Sequence, residues 1–173
     1  MTEEKLGFGS RVLIGAIAGL VGTIAMTSAM RRLHEKLPPQ ERYPLTPREI
    51  IDEAAAQADL EITSEGAKDL TIAGHFAYGA ACGALLGAIN PRLSAGSGAA
   101  AGVAVWLVSY LGWIPAADIL KPATGHPPRR NALMIGVHLL WGAATAKAMR
   151  ELFRIRTTMI EDGPNRDAPG SGS

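Results

Sequence analysis

Leu70-Thr-Ile-Ala-Gly-His75-Phe-Ala-Tyr78-Gly79-Ala-Ala-Cys82-Gly83-Ala-Leu-Leu-Gly87-Ala-Ile89 contains one residue able to carry positive charge, His75, and is otherwise apolar, small or neutral. At 1.5 Å rise per residue, about 20 residues cover the roughly 30 Å hydrocarbon layer of a bilayer, so this run is membrane-length. Working outward, Val12 to Met30 and Leu93 to Ala117 hold no charged residue, and Asn131 to Ala146 holds only His138. The last run is shorter and extends past Lys147, whose long stem can carry its amine to the headgroups. The sequence therefore predicts an all-α integral membrane four-helix bundle within residues 1–160, with spans at about 12–30, 70–89, 93–117 and 131–149. Four buried helices of a soluble protein are the competing reading, but such helices show charged stripes every third or fourth residue. The 173-residue chain has 20 glycines and 47% apolar residues, many of them in these runs, and glycine is commoner in membrane helices than in soluble ones.

The pentad His75-Phe-Ala-Tyr78-Gly79 recurs as His138-Leu-Leu-Trp141-Gly142. Leu70 then aligns with Leu133, Ile72 with Ile135 and Ala80-Ala81 with Ala143-Ala144. Gly15-Ala-Ile-Ala-Gly19 matches Gly98-Ala-Ala-Ala-Gly102 more weakly, and in Ala/Gly-rich helices chance produces such a match. Together they suggest two repeated helical hairpins in parallel, which places equivalent residues at equal depth. His75 and His138 then sit about six to eight residues into their helices, or roughly 8 to 11 Å deep.

Residues three and four apart share a helix face. His75, Tyr78, Gly79, Cys82, Gly83 and Leu86 form one stripe, and His138, Trp141, Gly142 and Thr145 another. Gly79, Gly83 and Gly87, with Gly15, Gly19 and Gly142, supply the small-residue surfaces that let membrane helices approach closely. An ionisable group at membrane depth is expensive and is by default a functional candidate. Two readings of the histidines stand: neutral rings bonded to Thr23, Thr27, Ser28, Ser109 or Tyr110, or a proton-linked polar core of His75, His138, Tyr78, Trp141 and Asp118. Zinc would accept His75 and His138 with Asp118 or His126, but no spacing matches a local ligand motif, so neither metal nor cofactor is assigned.

Between the first and second spans, Thr46-Pro-Arg-Glu49 reads as a capping box opening a short amphipathic helix at about 47–58. Its polar face is acidic, which suits a helix capping the bundle at the water interface or one that binds a partner. Between the third and fourth spans, Lys121, Arg129 and Arg130 can contact lipid phosphate or an anion, and otherwise anchor helix ends at the headgroups. Residues 161–173 read as a disordered tail. Cys82 is the single cysteine, so no intramolecular disulfide forms. Four spans place both termini on one side; basic residues are so evenly divided that sidedness stays open.

The Met26-Thr27 pair, the Tyr43-Pro-Leu-Thr-Pro-Arg48 approach, His75 with Tyr78-Gly79, the Trp106 to Pro115 stretch, His126-Pro-Pro-Arg-Arg-Asn131 and His138 with Trp141-Gly142 resemble the bacterial YagU-type inner-membrane proteins. The resemblance runs from Gly15 to Ala146. It implies a bacterial inner-membrane location and a loose association with acid resistance, with no established activity and no catalytic residues to carry over.

Two functional expectations follow. The first is a non-enzymatic protein whose histidine face responds to protonation, as a pathway or a packing switch. The second is a scaffold or accessory subunit that binds itself or another membrane protein through its small-residue faces. No nucleophile–base pair, metal motif or phosphate loop points to an enzyme. A net charge of +1 with no basic, aromatic-interleaved stripe gives no sign of nucleic-acid binding, leaving the lipid bilayer as the expected partner.

Overall fold

The computed structural model describes residues 7–42, 46–119, 121–156 and 158 and is all-helical, with no strand among them. Four long apolar helices dominate: α1 (Phe8–His34), α3 (Ser64–Ile89), α4 (Ala95–Ala116) and α5 (Pro128–Ile155), each long and apolar enough to cross a membrane. The short α2 (Thr46–Gln57) lies between α1 and α3. The expected tail at 161–173 lies outside the described residues.

The helices begin where the sequence supplies caps. Thr63 accepts the amide of Gly66 at 3.1 Å and starts α3 six residues before the apolar run; Ser94 accepts the amide of Ser97 at 3.0 Å and starts α4. Pro128 occupies the first turn of α5, where its missing N–H costs nothing. α5 then runs to Ile155, taking in Lys147 and Arg150. One detail departs from expectation at α2. Glu49 does not simply close a capping box: its carboxylate meets Arg130 at 3.3 Å, while the side chain of Thr46 lies outside the described residues.

Glycine sets how the long helices pack. A Cβ at Gly15 would strike the carbonyl oxygen of Gly83, and one at Gly19 that of Gly79, so α1 and α3 run antiparallel with their backbones in contact. Gly98 stands likewise against Gly142, and Gly102 against the carbonyl of His138, joining α4 to α5. Such closeness maximises dispersion contact and favours Cα–H···O approaches, which is how helices associate where apolar surface gains nothing by leaving lipid. α1 also packs on α5, with Gly22 beside Trp141 and Thr145. The resulting order is α3, α1, α5, α4. The guanidinium of Arg11 ties the closed end, donating to the carbonyls of Gly87, Ala88 and Ile89 at the C-terminus of α3.

Gly15, Gly19, Gly79, Gly83, Gly87 and Gly142 thus lie in contacts inside the chain.

α4 is not a uniform helix. It is α-helical over Ala95–Val108, π-helical over Ser109–Trp113, and ends in the turn Ile114–Ala116, with Gly112 at φ −112°, ψ −106°. Gly112 and Pro115 account for the break: one tolerates the dihedral pair, the other has no N–H to give.

Gly83→Leu should destabilise the fold by about 3 kcal/mol or more, since its Cβ would sit 2.6 Å from the Cα of Gly19, a backbone atom that cannot rotate away. Gly136→Ala, where nothing lies within 4 Å, should be neutral or stabilising by up to about 1 kcal/mol. Unfolding in mixed micelles measures both.

Candidate functional site

Bulky and small residues are unevenly distributed along the bundle. Glycines fill the end near Arg11, whereas Met26, Met30, Trp106, Tyr110, Met134 and Trp141 form the core toward α2. The helices therefore diverge toward α2 and enclose a cavity of about 230 Å³ between α3 and α4, backed by α1 and α5. Pro47, Ile50 and Ile51 of α2 form its cap, with Gln57 Nε2 donating to the carbonyl of Ala117 at 3.3 Å.

Four of the five residues expected in the polar core line this cavity: His75, Tyr78, His138 and Trp141. Asp118 does not. It is exposed beyond the end of α4, in the left-handed region at φ 55°, a conformation Asp tolerates through local hydrogen bonding. His126 also lies outside the lining, so the ligand set considered for zinc is not brought together; among the described residues no group of three or more His, Cys, Asp or Glu could hold a metal.

The hydroxyls of neighbouring helices answer most of the polar groups. Thr27 Oγ1 and His75 Nε2 are 3.2 Å apart, linking α1 to α3. Tyr78 donates to Ser109 Oγ at 2.9 Å, because Ser109 directs its own proton to the carbonyl of Val105 at 2.8 Å. Trp141 Nε1 donates to Thr23 Oγ1 at 3.2 Å, and Thr23 donates to the carbonyl of Gly19 at 2.8 Å. Ser28 is exposed and takes no part.

His138 differs. Its Nδ1 lies 2.7 Å from the carbonyl of Met134; a carbonyl only accepts, so Nδ1 carries the proton and Nε2 presents a lone pair. Tyr110 packs edge-on to the ring at 6.4 Å, and no described protein group bonds Nε2. The site thus holds an acceptor on a buried ring, 7% exposed, in a largely apolar chamber.

A second cluster docks α2. Arg130, expected at the headgroups, is only 6% exposed: it donates to Glu49 at 3.3 Å and to His126 Nδ1 at 2.7 Å. Since arginine never accepts, His126 Nδ1 is bare, and Nε2 carries the proton donated to the carbonyl of Lys121 at 3.1 Å. Lys121 and Arg129 are exposed. No residue spacing marks the Glu49–Arg130 pair, since its partners come from two helices far apart in sequence, α2 and α5; the cue was a carboxylate on an amphipathic helix and an arginine beside an apolar run.

Burial first, then the charge of Arg130, push the pKa of His126 below its usual value, with Lys121 adding to this while the Lys121 carbonyl and Glu49 oppose it. As pH falls below about 6.5 the unfolded segment takes up its proton before the folded one does. The packing of the loop that carries His126, between α4 and α5, is therefore at full strength above that pH and weakens below it, toward the folded-state pKa. Amide exchange in residues 121–127, corrected for intrinsic rate, should accelerate between pH 7.5 and 5.5 in the wild type and not in His126→Asn. Glu49→Gln should accelerate exchange in Thr46–Gln57 about tenfold at either pH, leaving the buried guanidinium short of its carboxylate, with the four long helices unaffected.

No protein-family model, curated protein or solved structure matches this chain.

Proposed function

We propose that the chain is a multi-pass protein of the bacterial inner membrane, with both termini on one side, and that its paired-histidine cavity carries a proton-linked step. The membrane placement is supported by the outer surface of the bundle. Leu13, Ile24, Ile72, Leu85, Val108 and Leu111 are between 49% and 65% exposed, an apolar belt that water would penalise and lipid accepts. The resemblance to YagU-type proteins fits the same location and is part of this proposal.

A duplicated hairpin also belongs to it. Gly19 faces Gly79 and Gly83 as Gly98 faces Gly142 and Ala146, so the second hairpin repeats the packing of the first. That relation pairs Gly98 with Gly19, one helical turn from the Gly15–Gly98 match that the sequence suggests. His75 and His138 keep equivalent places on α3 and α5.

The observation that carries the proton-linked reading is that both histidines line one cavity, next to Tyr78, Ser109 and Thr23 hydroxyls. Histidine accepts and releases protons near neutrality, and a hydroxyl can pass a proton by turning about its C–O bond. With Nδ1 of His138 bonded to Met134, its Nε2 is the nitrogen free to take a proton from the cavity. α2 stands across the water-facing end, so its docking by Glu49, Arg130 and His126 regulates access. The reading is non-catalytic: the side chains bind and relay, and no covalent step is invoked.

In liposomes, wild-type protein should conduct protons across a gradient between pH 5 and 8, and His75→Ala/His138→Ala should return flux to the lipid-only level, a loss of tenfold or more on the order expected for a removed relay. Circular dichroism establishes that the double variant is folded. Equal flux from wild type and folded variant, or none from the wild type, would discard the reading.

A further inference from the structure

The cavity's wall between α3 and α4 is thin. These two helices do not pack closely along their backbones, unlike α1 on α3 or α4 on α5. They meet through Tyr78 and Trp113, whose rings lie 6.0 Å apart, and through the Tyr78–Ser109 hydrogen bond. Tyr78 and Trp113 line the cavity and are still 40% and 39% exposed, and Trp113 follows the exposed Val108 and Leu111 along α4. The π-helical turn that carries Trp113, with its off-helix Gly112, is what sets this part of α4 apart from α3.

We propose that the cavity is a binding site for a neutral, lipid-soluble molecule of about two fused rings that bears one hydroxyl or N–H donor, admitted from the bilayer between Tyr78 and Trp113. Size comes first: a cavity of roughly 150 Å³ accommodates benzene, and this one is about 230 Å³. Charge comes second. No Lys, Arg, Asp or Glu is among the lining residues, so an ion would lose its hydration and find no countercharge. Specificity comes third. The hydroxyls of Tyr78, Ser109 and Thr23 are engaged with one another or with backbone carbonyls, whereas Nε2 of His138 is a buried acceptor with no described protein partner, which selects a ligand that donates. Met26, Met30 and Met134 supply adaptable apolar surface around the ring system.

The inference rests on the membrane placement proposed above but not on proton movement, so the two can fail separately. 2-Naphthol and naphthalene serve as probes, with and without the donor. Each is titrated calorimetrically into protein in phosphatidylcholine nanodiscs and, so that no bilayer is required, in detergent micelles, with protein-free particles subtracted. Saturable one-to-one binding of 2-naphthol is expected in both. Its preference over naphthalene should be about fivefold greater in the wild type than in His138→Leu, a comparison in which lipid partitioning cancels. Val105→Phe, which fills the chamber without touching a polar group, should weaken 2-naphthol by about tenfold or more, and stands alone as the test should His138→Leu fail to fold. No saturable binding, a donor preference that survives His138→Leu, or unchanged affinity in folded Val105→Phe overturns the proposal, whatever the outcome of the flux measurement.

Discussion

Backbone-to-backbone contact at glycine is the constraint from which the rest follows. Gly15 and Gly19 meet Gly79, Gly83 and Gly87, and Gly98 and Gly102 meet Gly142 and the carbonyl of His138, each at a distance where a methyl group would collide with main chain. In a bilayer there is no hydrophobic gain from bringing helices together, so dispersion and weak polar contacts over a close interface must supply the association. The packed glycines of α1, α3 and α4 lie toward one end of the bundle, where Gly142 and Ala146 of α5 meet α4. The helices are therefore pinned there and held apart, by Met26, Met30, Tyr110 and Met134, at the other.

A bundle that narrows at one end and widens at the other leaves a space at its wide end. Here that space falls at the level of His75 and His138, and the π-helical turn of α4 widens it toward Trp113. The polar groups facing it are paired across helices, Thr27 with His75, Ser109 with Tyr78 and Thr23 with Trp141, so they fix helix rotation as well as lining the chamber. Without a described partner are Nε2 of His138 and Nδ1 of His75. Unpaired acceptors are costly in apolar surroundings and persist where something outside the fold uses them. α2 covers the wide end, held by the ion pair of Glu49 with the buried Arg130 and by the bond of Gln57 to the Ala117 carbonyl, while His126 braces the same arginine.

The sequence made the helices legible because length and absence of charge are local properties. It also made the face legible: the spacing of His75, Tyr78 and Gly79 puts them on one stripe, and the same stripe recurs at His138, Trp141 and Gly142. Of the hydroxyls that the sequence offers the histidines, Thr27 meets His75, whereas Ser109 meets Tyr78, Thr23 meets Trp141, and His138 turns to the Met134 carbonyl. Tertiary pairings were not legible. Glu49 reads as a helix cap until Arg130 is brought to it from the first turn of α5, and Arg130 reads as a headgroup anchor until it is seen to be buried. Asp118 reads as a core carboxylate, yet the turn at the end of α4 carries it to the surface. The π-helical turn leaves only Gly112 and Pro115 as a trace. The small-residue faces are used between helices of the chain, and spacing alone does not say which face meets which.

The tautomer of His138 tests the cavity most directly, because it depends at once on the rotation of α5, on the Met134 carbonyl and on the vacant neighbourhood of Nε2. Nitrogen-15 spectra of histidine-labelled protein in nanodiscs, with His138→Asn for assignment by difference, read it without perturbing the fold. A ring protonated at Nδ1 and bare at Nε2, opposite to that of His126, is the predicted result. A ring protonated at Nε2 and bare at Nδ1 would contradict the cavity geometry and with it the acceptor on which the site is built.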